Sequence, residues 1–166
     1  MKKLVIVSAA LALAACGSES SGTFETEDGQ GTYTVDRDMD GSADINIKTD
    51  DGELNIQTGG QLAGDMPDGF SLYPGASVIS SSRFSQGEGE GMLVMMQTAD
   101  SPDSLTDFYR KQAEAAGHEI RMEVTTAQGK MISGKNEAGD VFSLNVSTDD
   151  EGLATGQLSL GSGLAN

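Results

Sequence analysis

Between residues 23 and 58 apolar side chains recur at alternate positions in four short runs. Phe24 lies in the first, Tyr33 and Val35 in the second, Ile45 and Ile47 in the third, Leu54 and Ile56 in the fourth. Asp28-Gly29, Asp40-Gly41 and Asp51-Gly52 separate them. Alternation with period two, broken by Asp-Gly, is a strong hairpin signal, so the pattern predicts a four-stranded antiparallel meander with one apolar face. These apolar side chains make a thin core for an independent unit. The face is therefore expected to pack on a second domain or on a partner.

Residues 59–72 are rich in glycine and turn formers and read as a linker. A second unit, residues 73–161, opens at Tyr73-Pro74-Gly75-Ala76. Ser77 to Phe84 reads as a strand, Ser85 to Gly91 with its Gly-Glu repeats as an acidic loop, and Met92 to Thr98 as a central strand. A helix follows: Ser101 caps it, Pro102 suits its first position, and Asp103 meets the positive end of its dipole. Leu105, Phe108, Tyr109, Ala113 and Ala116 form one stripe, Asp107 and Lys111 an i,i+4 pair, and Gly117 a left-handed stop. Four more alternating runs carry Ile120, Met122 and Val124; Met131; Phe142, Leu144 and Val146; and Leu158 and Leu160. Their turns are Gln128-Gly129, Ala138-Gly139 and Glu151-Gly152. The expected class is α+β: an antiparallel sheet with one amphipathic helix on one face, preceded by the meander. The other face should carry Glu119, Arg121, Glu123, Ser143, Asn145, Ser147, Gln157 and Ser159, and be either wet or covered by the meander.

The amino-terminal end has a different grammar. Met1-Lys2-Lys3 is positive, and Leu4 to Ala15 is apolar or small apart from Ser8. This describes an export signal. Its length of about 18 Å as a helix falls short of a bilayer core of roughly 30 Å. Leu13-Ala14-Ala15-Cys16 resembles the lipobox of bacterial lipoproteins, in which the cysteine becomes the first residue and is acylated. Cys16 is the single cysteine, so an intramolecular disulfide is impossible and an exported thiol needs another explanation. The expected layout is a signal at 1–15, lipidated Cys16 with a polar tether to residue 22, the acidic meander at 23–58, the linker, the α+β domain and a tail at 162–166. Gly17 after the cysteine, where aspartate would imply inner-membrane retention, implies the outer membrane by the same resemblance.

Without residues 1–15 the chain carries 8 basic and 26 acidic residues, a formal charge of −18. That argues against nucleic acid, whose binding is dominated by basic side chains. It also argues against the folded part lying on anionic lipid. Attachment is expected to come from acyl chains, since two or more hold a protein far better than one.

Candidate chemistry is sparse. Asp36, Asp38, Asp40 and Asp44, with Gly41, have the D-x-D-x-D-G spacing of calcium loops, in which alternate carboxylates converge on a hard cation. The twelfth position is Ile47 rather than a bidentate glutamate, so a solvated hairpin loop is the plainer reading. Met92, Met95 and Met96 offer thioethers for copper(I), but along one strand no two of them can share an ion, and core filling is what methionine does well. His118 is the only histidine, which leaves no serine triad and no zinc site beyond Cys16 and His118. It should pack back on the last helical turn.

Tyr73-Pro74-Gly75-Ala76, Ser101-Pro102, Asp107-Phe108-Tyr109-Arg110 and Ala115-Ala116-Gly117 resemble a domain recurring in small bacterial lipoproteins of unassigned function. The resemblance implies an α+β fold and a cell-envelope location, and it carries over no catalytic residue. The expected function is a lipid-anchored, non-enzymatic envelope protein with no cofactor beyond the lipid on Cys16, contacting another envelope component. The alternative is a calcium-binding envelope module.

Overall fold

The computed structural model describes residues 19–26, 29–39, 41–60, 62, 64–127, 129–149 and 152–163. The export signal, Cys16, residues 164–166 and the turn residues Asp28, Asp40, Gln128 and Glu151 lie outside them.

Among the described residues ten strands and one helix follow in the order β1 (Glu19–Thr26), β2 (Gly29–Arg37), β3 (Ala43–Thr49), β4 (Gly52–Thr58), β5 (Ser77–Gln86), β6 (Gly89–Thr98), α1 (Pro102–Ala115), β7 (Glu119–Thr125), β8 (Gly129–Lys135), β9 (Val141–Thr148) and β10 (Ala154–Ser162). All the strands join one antiparallel sheet in the order β1-β2-β3-β4-β5-β6-β10-β9-β8-β7. The chain leaves β6 through α1, lands on the far edge as β7, and walks back until β10 pairs with β6. The α+β reading holds at the level of an antiparallel sheet with one helix. The meander differs from expectation because it does not stand apart. Leu54 of β4 pairs with Phe84 of β5, so it continues the same sheet. Residues 19–22, expected in the tether, form the first half of β1 and pair with residues 33–36.

The helix forms where its local signals place it. The Ser101 side chain accepts the Ser104 amide at 3.1 Å, and Pro102 begins the first turn. At the other end Gly117 takes φ +83°, which lets its amide reach the Glu114 carbonyl and the His118 amide reach the Ala113 carbonyl. This closes the orphan carbonyls of the last turn. Leu105, Thr106, Tyr109 and Ala113 are buried against β7 to β10. Leu105 comes so close to β10 that a Cβ on Gly156 would sit 2.8 Å from its Cδ2. The expected Asp107–Lys111 pair is not among the ion pairs of the described residues; Lys130–Asp103 at 2.5 Å and Arg110–Glu123 at 2.6 Å tie the helix to the sheet instead.

The core lies on this helix side. Met92, Val94 and Met96 of β6 meet Phe142, Leu144 and Val146 of β9, Leu158 of β10 and Ile132 of β8, all essentially inaccessible. Each such side chain contributes about 1.5–3 kcal/mol by leaving water. The described residues of the expected linker, from Gly64 to Leu72 with Leu62, form a strap. Leu62, Met66, Phe70 and Leu72 pack on the core beside the helix. Gln112 holds the strap by accepting the Ser71 amide at 3.0 Å and donating to the Ser71 hydroxyl at 2.7 Å.

Two sequence-derived details are corrected. Ser85 to Gly91 is not a loop: β5 and β6 extend through it to a two-residue turn at Gly87-Glu88, with Gly87 at φ +58°. Strand β7 also changes face partway. Its register on β8 shifts between Ile120 and Met122, so Ile120 packs on the core while Met122 and Val124 point away, 50% and 41% exposed. Glu123 thereby joins the helix side and pairs with Arg110. A single extra residue in one strand reverses every later side chain.

Candidate functional site

Residues directly opposed across antiparallel strands share a face, so the register assigns every strand side chain to the helix side or to the open side. On the open side one rung runs Gly22, Tyr33, Ile47, Leu54, Phe84, Gly91 from β1 to β6. The next runs Ser20, Val35, Ile45, Ile56, Ser82, Leu93. Met95 stands one position further along β6 on the same side. The sheet continues on this side through Gln157, Ser159, Ser143 and Asn145. The meander thus extends the polar face sideways and does not cover it.

This open side carries no acidic side chain on the described positions of β1–β6 or β8–β10, in a chain of formal charge −16. Glu119, at the edge on β7, pairs with Arg121 at 3.3 Å. The carboxylates of the meander strands all lie on the helix side, where Asp44, Asn55 and Gln57 form one polar group and Asn46, Lys48 and Glu53 another. Glu53 is held below the usual carboxylate range by the Asn46 amide first and Lys48 second. Tyr33 and Phe84 remain 39% and 37% exposed on the open side. A contiguous apolar surface in a soluble fold marks an interaction site more often than scattered exposed residues do.

A cavity of about 300 Å³ opens on the helix side, between the strap, the end of α1 and the adjoining ends of β6 and β10. Phe70, Met92, Val141 and Leu160 form its apolar wall, and Arg83, Glu90, His118, Asn136 and Asp140 its polar one. His118 is set there by the helix stop, 8% exposed, with its ring centroid 5.7 Å from Phe70 and 6.1 Å from Phe142. Its ring contacts are with the strap and β9, and its backbone amide is what meets the helix end. Its Nδ1 is buried with no hydrogen-bond partner among the described residues. Arg83 donates to the Asp65 carbonyl and stands 3.9 Å from Met92 Sδ. Asn136 and Asp140 satisfy each other, side chain to side chain at 2.8 Å and side chain to amide at 2.9 Å.

The calcium candidates belong to the β2–β3 hairpin. Asp40, like the lipidation candidate Cys16, lies outside the described residues. Asp36 and Asp44 oppose each other across β2 and β3. Both Asp44 oxygens are occupied, one by Asn55 at 2.9 Å and the other by Gln57 at 2.8 Å. Asp38 sits in the hairpin turn, where its carboxylate accepts the Ser42 hydroxyl at 3.2 Å. Among the described residues no three His, Cys, Asp or Glu side chains converge as a metal site. Met92 and Met96 are core residues, and the Tyr109 hydroxyl donates to Met96 Sδ at 3.3 Å.

Sequence reasoning missed Phe70, Arg83, Asn136 and Asp140, because nothing local distinguishes them from turn and strand residues. The family described as START domain-like matches residues 78–152, less than half of the chain, running from β5 to the turn after β9. No curated protein and no solved structure matches the chain.

Proposed function

We propose that the protein is a lipid-anchored component of the bacterial cell envelope, related to the small lipoproteins it resembles, held through Cys16 and facing the periplasm from the outer membrane. It works without catalysis, by contacting another envelope component through the open side of its sheet. The supporting observation is the segregation of charge: a strongly acidic chain keeps carboxylates off one apolar sheet surface and covers that surface with nothing of its own among the described residues. An uncovered apolar face costs solubility unless it is used.

The anchor is tested by metabolic labelling with a palmitate analogue. Wild type takes up label and stays with membranes; Cys16→Ser loses both, and equal labelling of the two removes the anchor. The contact is tested by a photoreactive benzoylphenylalanine at Tyr33, on the open side, or at Thr34, on the helix side. Adducts in intact cells from position 33 and not from 34 support this surface; adducts from neither reject it.

A second reading, in the class of ligand-binding modules, is favoured by the unpartnered Nδ1 of His118 beside the cavity. A small molecule with an apolar body and a hydrogen-bonding group would fit there. Native mass spectrometry of the protein from its own cells reads this directly. A bound small molecule that Ser162→Trp expels from the cavity rim supports it, and bare protein argues against it.

A further inference from the structure

We infer that the occupant of the open side is a second copy of this chain, the two sheets stacked face to face about a two-fold axis. The inference rests on the proposal that this side is the contact surface, and it names the partner.

Charge is the first argument. Two copies of a chain at −16 repel, and an isologous contact would bring like charges together wherever the patch contained them. Here the described positions of β1 to β6 place no carboxylate on it, and Arg37, at the end of β2, is the one charged strand residue they put there. The meander carboxylates Asp36, Asp44 and Glu53 project from the opposite side. Stacked sheets stand about 10 Å apart, and the outward side chains add several ångströms on each side. The two acidic surfaces would then be roughly 20 Å apart, beyond the Debye length of about 8 Å at physiological salt. A basic partner, by contrast, would be drawn to the acidic side and gain nothing from this one.

Shape and area agree. The rung of Tyr33, Ile47, Leu54 and Phe84 and the rung of Val35, Ile45 and Ile56 form half of a sandwich core, with Ser82, Ser143, Asn145 and Gln157 as polar surroundings. Tyr33 and Phe84 lie over the opposed glycines Gly22 and Gly91 instead of standing upright, which keeps the surface level. Strand spacing and rise give about 500 Å² for β1 to β6 and about 1,000 Å² for the whole face. A pair would bury roughly 1,000–2,000 Å² in total, which overlaps the 1,200–2,000 Å² typical of stable interfaces.

The test uses the full-length chain in the cells that produce it, co-expressed with two different carboxyl-terminal tags and the photoreactive residue at Tyr33. A crosslinked band of about twice the chain mass that carries both tags is the expected result. Adducts that contain only other proteins overturn the inference and leave the contact surface standing. Adducts from neither source overturn both. Ile47→Glu, carrying the same photoreactive residue, should reduce the double-tagged band at least tenfold by placing carboxylates in the contact. Thermal unfolding of this variant checks that the helix-side core survives; a folded Ile47→Glu chain that crosslinks to itself as before also overturns the inference.

Discussion

Phe84 lies directly across the strand pair from Gly91, and its ring fills the space where a Cβ on Gly91 would project. The same pairing recurs between Phe24 and Gly31 and between Tyr33 and Gly22. An aromatic ring laid over a cross-strand glycine shields backbone that would otherwise be bare. The two residues should behave as one unit. Gly91→Ala alone is expected to lower stability by about 1–2 kcal/mol, because the ring must leave. In a Phe84→Ala background the same change should cost close to nothing. Urea unfolding of the four proteins gives the coupling, and strict additivity would refute it.

The reversal within β7 makes an unusual substitution pattern. Plain alternation would treat Ile120 and Met122 alike. The register shift buries the first and exposes the second. Ile120→Glu should destabilise by more than about 2 kcal/mol, since it brings an unpaired charge to the core margin. Met122→Glu should change stability by less than about 0.5 kcal/mol. Equal losses in the two variants would mean the shift is not there.

Tyr109 supplies a pH dependence at the alkaline end. Burial is the main cause that pushes its hydroxyl up to about 12, with the Tyr73 amide, which donates to that oxygen at 3.1 Å, pulling the other way. The folded state therefore holds the phenolic proton more tightly than the unfolded chain. The associated stability is fully present below pH 10 and is lost as pH rises toward 12. The loss should approach about 2–3 kcal/mol over that range. Tyr109→Phe should flatten this part of the stability profile and cost about 1 kcal/mol at neutral pH by leaving the Tyr73 amide without its acceptor. Denaturant titrations at pH 9, 10 and 11 of both proteins decide it, with parallel profiles as the contrary result.

Calcium should leave the fold indifferent. A cation at the Asp36–Asp44 hairpin would compete with the amides of Asn55 and Gln57, which each hold one oxygen of Asp44. The melting temperature in millimolar calcium is expected to match that in chelator to within about 1 °C. A rise of more than about 3 °C would mean that the carboxylates rearrange around the ion after all.

Gly117 offers a clean measure of backbone strain. Its φ is +83°, and a Cβ there would meet nothing within 4 Å. Any loss in Gly117→Ala is therefore conformational, about 1 kcal/mol, and comparable to removing the cap with Ser101→Ala. Thermal unfolding of the two single variants tests the equivalence.

Local signals were legible and distant ones were not. The helix could be read end to end because Ser101, Pro102 and Gly117 act within a turn of their own positions. The strand runs were legible because alternation is a property of each run alone. The face reversal of β7 depends on how Ile120 meets Gly134 of β8, a partner that no window around Ile120 contains. The strap escaped notice because Leu62, Met66 and Phe70, although four residues apart, are interrupted by Gly64, Pro67 and Gly69, which read as turns, while the core they pack on is built from distant strands. The glycines between Ser85 and Gly91 signalled a loop because the pairing of Phe84 with Gly91 across the strands is not written in either run. Of the cavity, His118 was noticed as the only histidine, but its ring partners lie 48 residues upstream and 24 downstream at Phe70 and Phe142.

Among the described residues the helix packs on β7 to β10 and reaches β6 through the Tyr109–Met96 contact, away from the meander strands, so cohesion is distributed unevenly across the sheet. Opening should begin at β1, where one neighbour and half-wet side chains hold the strand, and advance inward strand by strand toward β6. Amide protons would record this as a gradient of exchange times running across the sheet, slowest beneath the helix. If Cys16 is acylated, the most easily opened strand is also the one nearest the bilayer, and a pull on the lipid would peel the molecule from its weakest seam.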